Sequence, residues 1–204
     1  AGQFYPGETN QLRAMIKKMT DETAAKTDAV GLVVPHAGYV YSGPVAGDVY
    51  SRIKFKETFI IMGPNHTGNG DPLSIMTEGT WKTPLGEVHI DAELAKNLLA
   101  SSRHLKEDFP AQQYEHSIEV QIPFLQYFRP DIKIVPLVLG TAGADIYHAV
   151  GKEIARSVRE TKKKVVIVAS SDMTHYEPQE SARRKDNQAI EAILDMNEKE
   201  LTKR

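Results

Sequence analysis

Ala29-Val30-Gly31-Leu32-Val33-Val34-Pro35-His36-Ala37-Gly38-Tyr39 begins as an apolar run and breaks into a short turn that carries a histidine. The same pattern recurs further along the chain. Thr58-Phe59-Ile60-Ile61-Met62 runs into Gly63-Pro64-Asn65-His66, and Val165-Val166-Ile167-Val168-Ala169 runs into Ser170-Ser171-Asp172-Met173-Thr174-His175-Tyr176. A short, continuously apolar run rich in Val and Ile reads as a strand buried on both faces, as in a sheet covered by helices. In such sheets ligands and reacting groups collect at the carboxyl ends of the strands. Three strand ends that deliver His36, His66 and the Asp172/His175 pair are therefore expected to meet in one crevice, and the donors point to a metal site.

Between these runs the spacing predicts helices. Leu12, Met15, Ile16 and Met19 fall on one face of a helix over residues 8–19. Val45, Val49 and Ile53 do the same over 43–53, and long helices are expected over 142–159 and 181–194. Asp91 is placed to cap a helix through Leu99, with Glu93 in its first turn. Ser117 to Phe128 has helical apolar spacing, interrupted by Pro123. Ile132 to Leu139 reads as a strand, and Pro136 argues for an edge position or an irregularity in it. Residues 71–86 hold Pro72, Trp81 and Pro84-Leu85-Gly86, so short strand pieces and turns are expected. Strands alternating with helices imply an α/β sheet with helices on both faces.

Composition sets the outer limits. At 204 residues, 41% of them hydrophobic and 25% charged, the chain suits one globular domain over residues 1–204. A net charge of -2 and a pI near 6.4 give no footprint for nucleic acid or an anionic membrane. No apolar run approaches the roughly 20 residues that span a bilayer, and no signal-peptide pattern appears. We expect a cytoplasmic protein. The absence of cysteine excludes disulfides, thiolate catalysis and cysteine-based zinc sites for these residues. The chain opens without methionine and stops in the charged stretch after Asn197, so we expect it to be cut at the C-terminus. No phosphate loop or dinucleotide fingerprint is present, and no nucleotide cofactor is expected.

Neutral imidazoles with a carboxylate are the donor set of a catalytic divalent ion; two His and one acid define the non-haem iron triad, and the same donors hold zinc or copper. His36, His66 and Asp172 are the candidate ligands. Each histidine could instead only hydrogen-bond its own loop, and Asp172 could cap the following helix. His175 is a candidate general acid or base, since its ordinary pKa of about 6.5 lies near working pH. His116, in Glu115-His116-Ser117-Ile118-Glu119-Val120-Gln121, is a further candidate catalytic residue, although a capping box with Ser117 as the cap would explain part of that cluster. His89, His104 and His148 lie in helical or charged surroundings and are expected to be solvated.

Taken in order, these motifs resemble the Memo-like family, called AmmeMemoRadiSam system protein B in archaea and bacteria. The resemblance runs from Ala1-Gly2-Gln3-Phe4-Tyr5-Pro6 through Pro35-His36-Ala37-Gly38-Tyr39, Gly63-Pro64-Asn65-His66, Trp81-Lys82-Thr83-Pro84-Leu85-Gly86 and Glu115-His116-Ser117-Ile118-Glu119 to Ser171-Asp172-Met173-Thr174-His175-Tyr176. That family is similar in fold to class III extradiol dioxygenases. The resemblance implies a three-layer α/β/α sandwich around a mostly parallel or mixed sheet. It implies two metal-type histidines at His36 and His66, an acid and a neighbouring histidine at Asp172 and His175, and a substrate-side histidine at His116. It also implies iron or copper redox chemistry, with zinc hydrolysis as an alternative. A non-catalytic module that binds a small molecule or a peptide, such as a phosphotyrosine peptide of a protein partner, is the other reading.

Overall fold

The apolar runs build the middle of a sheet. In the computed structural model, which describes residues 1–202, the chain forms two units, Ala1–Ser171 and a shorter one that begins at Asp172. The first unit contains α1 (Thr9–Met19), β1 (Gly31–Val34), α2 (Tyr39–Ser51), β2 (Thr58–Pro64), β3 (Leu73–Ile75), β4 (Thr80–Thr83), β5 (Gly86–Ile90), α3 (Ala92–Ser101), β6 (Lys106–Glu107), α4 (Pro110–Gln113), α5 (His116–Glu119), α6 (Ile122–Phe128), β7 (Lys133–Leu139), α7 (Ala144–Glu160) and β8 (Val165–Ser170). The second holds α8 (Gln179–Leu194) and α9 (Glu198–Leu201).

The sheet has eight strands in the order β1-β8-β2-β7-β3-β6, with β5 also beside β7 and β4 beside β5. Pairing is parallel except for β3 with β7 and β4 with β5. Helices α1, α2 and α6 pack together, and α3 packs with α7 and β7. The expected α/β architecture, a mixed and mostly parallel sheet flanked by helices, is observed.

Burial separates the three apolar runs. Phe59, Ile60 and Ile61 in β2 and Val166 and Val168 in β8 are fully buried, because both strands have neighbours on either side. β1 is different. It pairs with β8 alone among the described residues, so Leu32 and Val33 are only half-buried and the expectation of burial on both faces fails there.

Pro136 does not mark an edge. β7 lies between β2 and β3, and Pro136 pairs in register with Ile61. The Lys133 N–H points to β2, where it donates to Glu57 O, whereas the Ile134 carbonyl points the other way and accepts from Asp91 N–H. By strand alternation Pro136 shares the direction of Ile134. On that side β5 pairs residues 133–134 and β3 pairs 137–139. The missing N–H thus falls in the gap between two neighbours, where no ladder bond is needed.

Two helices differ from their predicted bounds. α2 starts at Tyr39 rather than Gly43 and runs through Pro44. Tyr39 anchors that first turn: its N–H donates to Phe4 O, its hydroxyl to Val120 O, and its ring packs on Tyr5 and Phe124. The helix expected over 117–128 is broken into α5 and α6. Pro123 sits in the first turn of α6, where a proline costs no helical bond, and Gln121 at the break turns into the core. Asp91 caps α3 as the sequence predicts, accepting from Leu94 N–H.

Two close approaches matter for the site. A Cβ on Gly47 would lie 2.0 Å from Met19 O, so α1 and α2 touch only because that residue is glycine. A Cβ on Gly63 would lie 2.2 Å from Ser117 Oγ, so the end of β2 meets α5 without a side chain between them.

Candidate metal centre

β1, β8 and β2 lie side by side and parallel, with Val34 opposite Ser170 and Met62 opposite Ala169. Their carboxyl ends therefore open at one place. His36 follows β1 by two residues and His66 follows β2 by two. His116 opens α5, which the bare Gly63 lets settle against β2. One ring nitrogen from each of His36, His66 and His116 lies within 4.8 Å of the other two. The rings of His36 and His66 meet edge to face at 5.2 Å between centroids, and those of His66 and His116 stack at 4.6 Å. Phe4 also stacks on His116, with centroids 4.3 Å apart and the rings nearly parallel. Burial is graded: His36 is buried, His116 half-buried and His66 exposed.

Hydrogen bonding fixes which nitrogen two of the rings present. Ser170 Oγ donates its one proton to Ser117 O, 2.6 Å away, and accepts from Gln121 Nε2 at 2.8 Å. His36 Nδ1, 3.0 Å from the same oxygen, must then be the donor of that contact. The Gln121 amide is oriented by Pro35 O, which accepts from Nε2, and by the Tyr50 hydroxyl, which donates to Oε1. His66 Nδ1–H donates to Glu115 Oε1 at 2.8 Å, and His66 N–H donates to Oε2 at 2.6 Å. Both neutral rings therefore carry their proton on Nδ1 and leave Nε2 unprotonated, the tautomer that binds a metal.

Glu115 is the hub of this arrangement. Its side chain is fully buried and also accepts from Ser117 N–H, while His116 Nδ1 lies 3.6 Å from Oε1. Burial alone would push its carboxyl up. The hydrogen bonds from His66 Nδ1, Ser117 N–H and His66 N–H outweigh burial and hold the pKa below the ordinary glutamate value. Glu115, not Ser117, is the N-cap of α5, so the predicted capping box is replaced by a carboxylate that caps a helix and orients a histidine together.

The sequence-predicted residues divide between the units. His36, His66 and His116 come together in the first, with His116 within ligand distance of the other two. Asp172 and His175 belong to the second unit, where His175 Nε2 lies 3.7 Å from Asp172 Oδ2. Asp172 does not cap α8, whose N-cap is Pro178; Asp186 of α8 instead accepts from Thr174 N–H. His89 and His148 are exposed, as expected, and His104 is half-buried. Sequence reasoning passed over Ser170 and the orienting role of Glu115. The place of Ser170 as the last strand residue and the adjacency of Glu115 to His116 were the available signals.

Three neutral imidazoles form a borderline-soft donor set that suits zinc, copper or iron. The residues present fit such an ion. Fold and site together define an α/β protein with a histidine-lined centre at its parallel strand ends. A sequence model of the family described as "Memo-like protein" matches residues 1–204, and the chain belongs to that family. It is similar to the MEMO1 family protein of Methanococcoides burtonii, with 48% identity over 206 residues that cover 100% of this chain and 77% of the relative. The MEMO1 family proteins of Archaeoglobus fulgidus and Caldivirga maquilingensis are 48% and 44% identical, each covering 75% of the relative and 98% and 97% of this chain.

Proposed function

We propose that this protein binds a divalent redox metal, iron or copper, through His36, His66 and His116, and uses it in oxidation chemistry on a small molecule. The observation that carries this reading is the convergence of one ring nitrogen from each of His36, His66 and His116 within 4.8 Å, with the Nδ1 protons of His36 and His66 committed to Ser170 and Glu115. Such an ion, when bound, supplies one-electron chemistry at an open coordination position. His36 is held by Ser170 and Gln121, His66 by Glu115, and His116 by its stacking on Phe4 and His66. The exposed His66 and half-buried His116 form the open side on which a substrate would stand.

A donor set of three histidines also favours a second reading, a zinc hydrolase, because three histidines with one open position hold catalytic zinc elsewhere. Elemental analysis of protein prepared without chelator or affinity metal separates the two. We expect about one iron or copper per chain in the wild type, and loss of metal in His36→Ala/His66→Ala and in His116→Ala. His148→Ala should retain it. Zinc alone would favour the hydrolase, and equal metal in wild type and double variant would overturn the site.

A further inference from the structure

A cavity of about 300 Å³ opens beside α4, α5 and the β4–β5 hairpin. That volume is at the lower end of small-molecule sites, about 300–1,000 Å³. Trp81, Phe109 and Met76 supply its apolar wall. Its polar lining is Glu115, Glu119, Gln112, Gln113, Thr80 and Lys82, and the Glu115 carboxylate is already committed to His66 and Ser117. Gln112 is 2% exposed, and its Nε2 donates to Ser74 Oγ at 3.0 Å and to Ser74 O, so the amide is oriented. That leaves Gln112 Oε1 with no hydrogen-bond partner. A buried, unpaired carbonyl is costly, and its partial negative charge acts through space on whatever fills the cavity.

Glu119 Oε1 is already paired with the Ala1 ammonium at 2.8 Å and accepts from the Tyr5 hydroxyl, which leaves Gln112 Oε1 and Glu119 Oε2 as the acceptors for a ligand. The Lys82 side chain is 79% exposed, and its Nζ lies 3.3 Å from Glu87. Phe109 is 55% exposed. Aromatic faces attract cations, tryptophan most strongly.

We propose that this cavity binds a small organic cation, an ammonium group carried on a flat apolar body. The ammonium would sit toward Gln112 and Glu119, and the apolar body against Trp81 and Phe109. Glu115 borders both this cavity and the histidine cluster, but the proposal does not rest on the metal reading.

Trp81 is the chain's single tryptophan, so its fluorescence reports on this cavity alone. The probe is 2-phenylethylammonium, titrated at constant ionic strength into metal-free and metal-loaded protein alike. We expect a saturable change in Trp81 emission in both, weakened about tenfold in Glu119→Gln and in Phe109→Ala. The neutral 2-phenylethanol and the anionic 3-phenylpropionate should bind much more weakly. Because Phe109 is exposed, its variant keeps the test decisive if Glu119→Gln fails to fold. No saturable change in the wild type would overturn the proposal. So would equal binding of the alcohol or the carboxylate, or undiminished binding in the variants that fold.

Discussion

Glu115 joins parts of the chain that the sequence keeps far apart. Its two oxygens accept from the backbone N–H and the ring Nδ1–H of His66 and from the α5 backbone while the side chain is excluded from water. A glutamine at 115 would keep the shape, but one oxygen would become an NH2 group facing a donor. Either His66 N–H or His66 Nδ1 would lose its acceptor, and in the second case the ring could move its proton to Nε2 and hide its lone pair. Outer carboxylates of this kind are worth about 10–100-fold in metal affinity. We expect Glu115→Gln to weaken metal binding by that amount, with His148→Ala unchanged, as read by competition with a chromophoric chelator. Equal affinity in the glutamine variant would show that Glu115 serves the helix cap alone. The histidines themselves were legible in the sequence, since each follows an apolar run or opens a polar cluster. Their partners were not, because a serine or glutamate becomes an orienting residue only through contacts 49–134 positions away.

Among the elements, Asp91 shows how one side chain ties a helix to two strands. It caps α3, accepts from Thr58 Oγ1 at the start of β2, and pairs with Lys163 just before β8. Burial alone would raise its pKa. The bonds from Lys163, Thr58 and Leu94 N–H prevail and hold it below the ordinary aspartate value. A carboxyl lowered in the folded state adds stability that is fully present above its unfolded pKa of about 3.9 and is lost as pH falls through the folded value. Asp91→Asn keeps a capping side chain but removes the charge, so it should cost about 1–3 kcal/mol at neutral pH. That gap should begin to narrow as pH falls below about 4 and close only below the lowered folded value, where the wild type has lost the same charge. Urea denaturation of both proteins at neutral and acid pH measures it, and a gap independent of pH would assign the cost to shape rather than charge. Elements of this kind were well marked, and the Asp91 cap and the central strands were legible. What escaped was set by neighbours. The place of Pro136 in a central strand depends on a gap between β5 and β3, and the α5–α6 break depends on the buried bonds of Gln121.

At the scale of the whole molecule, the histidine cluster closes three long stretches of chain on one point. His36, His66 and His116 leave from β1, β2 and α5, and all lie in the first unit with the sheet. No unfolded chain holds those rings within 4.8 Å of one another, so an ion on them binds the folded state and stabilises it by mass action. At a free metal concentration about a hundred times the Kd that gain is about 2.7 kcal/mol. For a chain of this size each kcal/mol moves the unfolding midpoint by about 2–4 °C, so loading should raise it by roughly 5–11 °C. The ligands must be neutral, so the rise should shrink at acid pH, where protons compete with the ion for the imidazoles. Scanning calorimetry on metal-free and loaded protein reads both effects. His148→Ala should show the full rise and His36→Ala/His66→Ala none. An equal rise in the double variant would place the stabilising ion elsewhere, because removing two of the three imidazoles leaves His116 alone, too weak to distinguish the folded chain from the unfolded one.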